Sequence, residues 1–162
     1  ARRLDPERAL ARINAALPAG VRFLALNEIR RDIPSLSDAI RAARYRVVTG
    51  NGRDSREAVA SFLARGPVTV TRHKNGKTKT FDLGREVLEI DVDDSNTIRL
   101  VLALNSTGAS LKPDEVLREV LGSPTTHAEL TREELLVEWN GRLVNPLLAA
   151  AAASFHGERA VR

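Results

Sequence analysis

Ten consecutive residues, Thr71-Arg72-His73-Lys74-Asn75-Gly76-Lys77-Thr78-Lys79-Thr80, carry four formal positive charges and no acid. Cations gathered at a tight turn can reach a polyanion backbone, where each phosphate neutralised releases counterions and strengthens association. Arg72, His73, Lys74, Lys77 and Lys79 are therefore the candidate nucleic-acid contacts. The competing reading is an exposed hairpin edge kept from pairing by its lysines. The segment also lacks the interleaved aromatics of a base-stacking platform. Asp82 closes this stretch, where it could pair with Arg72 or Lys79, or serve as a general base if desolvated. It is the single candidate for a catalytic carboxylate, against the ordinary structural role of an acid at a strand end.

Other chemistry finds few parts. Asp91, Asp93 and Asp94 form an oxygen-rich run, but without the glycine and distal glutamate of a calcium loop they read as a solvated turn. His73, His127 and His156 fall in separate segments with no metal-ligand spacing. The chain has no cysteine, which removes thiol nucleophiles, disulfides and zinc-thiolate sites together. Ser35, Ser61 and Ser110 lack a nucleophile-elbow setting, and Gly50-Asn51-Gly52 lacks the lysine of a phosphate-binding loop. No metal and no cofactor is expected.

These residues need elements to hold them. Asp5-Pro6 starts a helix carrying Ala9, Leu10, Ile13, Ala16 and Leu17, which Pro18 and Gly20 stop. Val21 to Ile29 reads as extended, and Pro34-Ser35 opens a short helix with Leu36, Ala39, Ile40 and Ala43 on one face. A strand through Tyr45, Val47 and Val48 ends at a glycine turn, and a helix follows from Asp54. Asn75-Gly76 predicts a two-residue hairpin between Val68 to Arg72 and Thr78 to Phe81. A second hairpin joins Val87 to Val92 with Ile98 to Leu104. Pro113-Asp114 starts a helix that Gly122 and Pro124 stop, while His127 to Trp139 fits either a strand or a short helix. Leu147 to Phe155, with its alanine run, predicts a C-terminal helix.

From residue 44 the order is β, α, β, an extra hairpin arm, β, β, α, β, so the expected fold is α+β with a ferredoxin-like βαββαβ layer. The expected organisation is a partial helix-strand-helix unit over 1–43, as the remnant of a preceding similar unit. A ferredoxin-like unit over 44–139 follows, with its basic arm at 71–80, and an alanine-rich tail fills 140–162. The composition, 43% hydrophobic and 28% charged with a formal net charge of +4, is that of a folded domain. Only four basic residues are lysines, and three of them lie within 74–79. No stretch approaches the roughly 20 apolar residues of a membrane span, and the absence of cysteine suits a reducing compartment. A soluble, cytoplasmic protein is expected. The lack of any methionine, position 1 included, suggests a piece of a longer polypeptide.

Several segments together resemble a known family. Asp5 to Pro18 with Gly20-Val21-Arg22-Phe23-Leu24, Pro34-Ser35-Leu36, and Ala43-Arg44-Tyr45-Arg46-Val47 resemble the middle of the bacterial radical-SAM-linked protein family, a domain of unknown function. Lys74 to Lys79 running into Phe81-Asp82-Leu83, and Ser110 to Leu117, are similar to its later landmarks. The resemblance implies a radical SAM protein as partner and an RNA-modification setting, with tRNA or rRNA as ligand. It also implies an upstream segment that does not stand in this sequence. The order of elements is similar to that of pseudouridine synthases as well, although their Arg/Asp catalytic loop has no counterpart here. Three functional expectations follow. The first is a non-catalytic RNA-binding accessory domain, the second an RNA-modifying enzyme using Asp82, and the third a docking scaffold without RNA affinity.

Overall fold

The computed structural model describes residues 4–27, 35–50, 54–105, 109–122 and 128–149. Its centre is β1 (Ile40–Thr49), a strand paired on both edges. On one side β1 runs antiparallel to β5 (Thr97–Ala103), with Tyr45 opposite Leu100 and Val47 opposite Ile98. On the other it runs antiparallel to β6 (Ala128–Trp139). The edges are β4 (Val87–Val92), against β5, and β7 (Arg142–Val144), against β6. The sheet order is β4-β5-β1-β6-β7, antiparallel throughout, so the protein is mixed α+β.

Two helices provide the apolar faces that this sheet buries. α3 (Ser55–Ala64) begins where the Asp54 carboxylate accepts from the amides of Arg56 and Glu57, and it turns Val59 and Phe62 inward. α5 (Pro113–Leu121) starts with proline at its first position and stops at Gly122, whose φ of 63° is the left-handed ending that glycine adopts without strain. Val116, Leu117, Val120 and Leu121 form its buried stripe. They join Val59 and Phe62 over Val47, Ile98, Leu100 and Leu102 in one apolar cluster. Each fully buried leucine or phenylalanine contributes about 1.5–3 kcal/mol there. A smaller cluster of Ala42, Val101 and Leu136 lies apart from it, with Leu143 packed on it.

Four local expectations change. The helical spacing of Ile40 and Ala43 is overridden, because α2 (Leu36–Ala39) ends after one turn and the chain enters β1. Ala42 and Ala43 are fully buried there, since a strand with neighbours on both edges rewards burial more than local helix preference does. β1 thus crosses the boundary expected between 43 and 44. Residues 21–27 form no strand, and their shape comes instead from Asn14 of α1 (Pro6–Ala16). The Asn14 amide accepts from the Phe23 N–H at 2.8 Å and donates to the Phe23 carbonyl at 2.9 Å.

The ambiguous stretch before Trp139 is strand β6, and Asn140-Gly141, both with positive φ, turn it into β7 across the boundary expected at 139/140. A single helical turn, α4 (Leu83–Glu86), separates the arm from β4. Residues 146–149 are helical, while the remainder of the predicted C-terminal helix lies outside the described residues, as do His127, His156 and the glycine turn at 51–53. No helix among the described residues is long and apolar enough to cross a membrane.

Candidate nucleic-acid interface

The basic segment is a separate two-stranded ribbon made of β2 (Thr69–Lys74) and β3 (Lys77–Asp82). Asn75 and Gly76 join the strands with φ of 50° and 71°, the doubly left-handed turn whose twist matches that of the strands. Pairing in register places Val70 opposite Phe81, Arg72 opposite Lys79, and Lys74 opposite Lys77. Side chains alternate faces along a strand, so these six residues share one face. It grades from apolar at the root to cationic at the tip. The other face carries Thr71 and Thr80, whose hydroxyls lie 3.3 Å apart, and His73, whose Nδ1 shares a 2.9 Å hydrogen bond with the Thr78 hydroxyl.

The root is fixed. Phe81 is buried in the main core, with the guanidinium of Arg72 4.8 Å and the ammonium of Lys79 4.9 Å from its ring centre. Arg72 donates from Nε to Glu115 Oε1 at 2.7 Å, and from a terminal nitrogen to Glu115 Oε2 and to the Ser110 carbonyl. This fork is largely withdrawn from solvent, with side-chain exposures of 19% and 12%. The hydrogen bond from Arg72 holds the Glu115 carboxyl below the usual glutamate range, and the same bond raises the affinity of Arg72 for its proton. Lys79 donates to the Ala109 carbonyl.

The five sequence candidates therefore separate. Arg72 and Lys79 clamp the arm to the segment before α5 and to its first turn, and His73 is tied to Thr78. Lys74 and Lys77 stand exposed at the tip, with neither an acid nor a hydrogen-bond acceptor beside them among the described residues. Asp82 does not form the expected pair with Arg72 or Lys79. Its carboxylate accepts from the Gly84 amide at 2.9 Å, capping α4, and lies 3.8 Å from Arg85. The reason is directional: Asp82 sits opposite Thr69, on the ribbon face away from Arg72 and Lys79.

Asp93 accepts from the hydroxyl and amide of Ser95 and from the Thr97 amide, which makes the acidic run a hydrogen-bonded turn. The Ser95 hydroxyl does most to hold its carboxyl below the usual range. Among the described residues no group of histidines and carboxylates is placed to hold a metal ion.

Sequence reasoning overlooked Glu115, the arm's main anchor. Its signal was local, as a glutamate three residues after Lys112, where its Oε2 accepts from the Lys112 amide at 2.8 Å. Also overlooked was an arginine group on the second sheet face. Arg46 lies directly opposite Arg99, and Arg44 is two residues away. Arg44, Arg46 and Arg99 lean toward Glu134, Glu133 and Asp93 respectively. That neutralisation leaves the hairpin tip as the denser site of unpaired positive charge.

Residues 1–113 match the pattern of DUF2344, described as an uncharacterized protein conserved in bacteria. The chain belongs to that family. No curated protein and no solved structure matches it. The DUF2344 match takes in the whole arm, Asp82, and the Ala109 and Ser110 carbonyls that receive the arm's hydrogen bonds. It ends at Pro113, the first residue of α5.

Proposed function

We propose that this DUF2344 domain is a non-catalytic accessory module that binds RNA, as tRNA or rRNA, through its basic hairpin, within a system built around a radical SAM protein. The observation that carries the reading is the division of labour along the arm. Arg72 and Lys79 are committed to rooting it, so Lys74 and Lys77 are presented side by side on a pre-ordered turn. A rigid cationic tip loses less conformational freedom on meeting a phosphate backbone than a mobile one does.

The scaffold is read as a ferredoxin-like layer. Supporting this are the antiparallel order β4-β5-β1-β6, with α3 lying in the connection from β1 to β4 and α5 in that from β5 to β6. The arm is then an insertion between α3 and β4. The radical SAM association rests on the sequence resemblance alone.

The test is tRNA and rRNA-fragment binding to the purified chain across a salt series, beside Lys74→Glu/Lys77→Glu. Because Lys79 holds the root, it is changed separately. Log affinity is expected to fall linearly with log salt, and the double variant to lose binding with its fold intact. The slope should shrink by roughly 0.7–0.9 for each phosphate no longer neutralised. Equal binding by parent and variant would remove the tip as the point of attachment. If the parent itself fails to bind at low salt, the scaffold reading replaces this one.

A further inference from the structure

The second surface of interest lies away from the hairpin tip, along the sheet's outer strand. β4 stands at the end of the sheet order and, among the described residues, pairs only with β5. The backbone groups on its other edge are open to another strand. Beside that edge runs a groove of about 550 Å³, walled by β4, by the end of α3 with Gly66 and Pro67, and by the Asp82 to Arg85 turn. Between Val87 and Glu89 the pairing slips, two residues of β4 advancing against one of β5. A bulge of this kind re-aims a side chain. Here the extra residue is Leu88, which lines the groove and is 43% exposed, and Leu63 across from it is 61% exposed.

The charge of this edge is one-sided. Residues 86–94 contain Glu86, Glu89, Asp91, Asp93 and Asp94 and no lysine or arginine. Asp93 and Asp94 have Arg99 and Arg56 as partners, and Arg85 of the groove turns to Asp82. Glu89 and Asp91 hold no ion pair among the described residues. Glu86 keeps Oε2 out of solvent with no hydrogen-bond donor among them. An RNA would be repelled along such an edge, and a second copy of β4 would bring the same acids against these.

We propose that the free edge of β4 and its groove receive an extended segment of a partner protein, alternating apolar with Lys or Arg residues, which joins the sheet as an added strand. Main-chain hydrogen bonds to β4 supply affinity, and the apolar side chains enter between Leu63, Pro67 and Leu88. The cations meet Glu89 and Asp91. The proposal is independent of the hairpin reading.

The experiment titrates the full isotope-labelled chain with a synthetic peptide alternating valine and lysine, beside a control alternating valine and glutamate. Amide shifts and hydrogen exchange are followed. Expected are slowed exchange at amides within 87–92, no response to the glutamate peptide, and about tenfold weaker binding by Glu89→Lys/Asp91→Lys. Leu88→Glu, at an exposed position, is expected to weaken binding comparably while leaving the spectrum of the core unchanged. Equal response to both peptides, slowed exchange confined to the opposite edge at 142–144, or no response at β4 would overturn the proposal. So would a concentration-dependent dimer that disappears in Leu88→Glu, which would give the edge to a second copy.

Discussion

Arg72 and Glu115, 43 residues apart in the chain, meet in a two-pronged hydrogen-bonded pair that fastens the basic ribbon to the first turn of α5. Arginine's planar fork suits this geometry, and a lysine would replace it with a single point contact. Arg72→Lys is therefore expected to loosen the arm, and Glu115→Ala to cost about 1.5–3 kcal/mol, the range for hydrogen bonds to a charged group. A double-mutant cycle of Arg72→Ala and Glu115→Ala by urea unfolding should return a coupling on the order of 1–2 kcal/mol. A coupling near zero would mean that the pair does not root the arm.

Acid should release this anchor. The Glu115 and Asp93 carboxyls lie below their ordinary values of 4.5 and 3.8 in the folded chain. Groups depressed in this way stabilise the fold above their unfolded pKa, and that contribution disappears as the pH falls through the folded one. Arg72, whose hold on its proton is strengthened by Glu115, changes nothing in the acid range. Thermal stability should thus decline on acidification below about 4.5, the ordinary glutamate value. Glu115→Gln, already lacking the charge, should show a shallower decline, and parallel pH profiles for the two proteins would refute the assignment.

Gly76 adopts a φ of 71° at the tip, a conformation that costs a side-chain-bearing residue roughly 1–2 kcal/mol. Its space is open, so Gly76→Ala introduces backbone strain without a clash. We expect faster hydrogen exchange confined to 71–80 and weaker RNA binding, with the melting of the main core barely altered. A global loss of stability would show that the arm is integral to the core.

Asp82→Ala removes the cap of α4 and should lower stability by about 1 kcal/mol. RNA affinity is expected to stay within a factor of about two, since the residue lies at the root, across the ribbon from the lysine face. Should the intact system modify RNA and lose that activity in Asp82→Ala without losing binding, the carboxylate would have to be assigned to the chemistry.

Local signals announced much of this architecture. Asp54 and the Pro113 to Gly122 bracket marked both long sheet-packed helices, and Asn75-Gly76 gave the arm's turn. The identical Asn140-Gly141 pair is harder to read, because the preceding stretch through Leu135, Leu136 and Val137 fits either period, and a register shift in β6 blurs its alternation further. Ile40 and Ala43 read as part of a helix face because the consecutive Ala42 and Ala43 are both buried on β1 and leave no polar alternation to read. Within the candidate site the cations were visible as a cluster. Which of them were committed elsewhere was not, since Glu115, Ser110 and Ala109 reach Arg72 and Lys79 only through tertiary packing.

Glu115 does two things with one carboxylate. It takes the Lys112 amide at the start of α5 and it holds Arg72 of the ribbon. The ribbon and the helix therefore behave as a lever and its fulcrum. A pull on Lys74 and Lys77 is felt first at the opening turn of α5, and from there by α3, which packs beside it. A load on the tip would thus reach the protein's interior by three routes at once, the Arg72–Glu115 pair, Lys79 on the Ala109 carbonyl and Phe81 in the core.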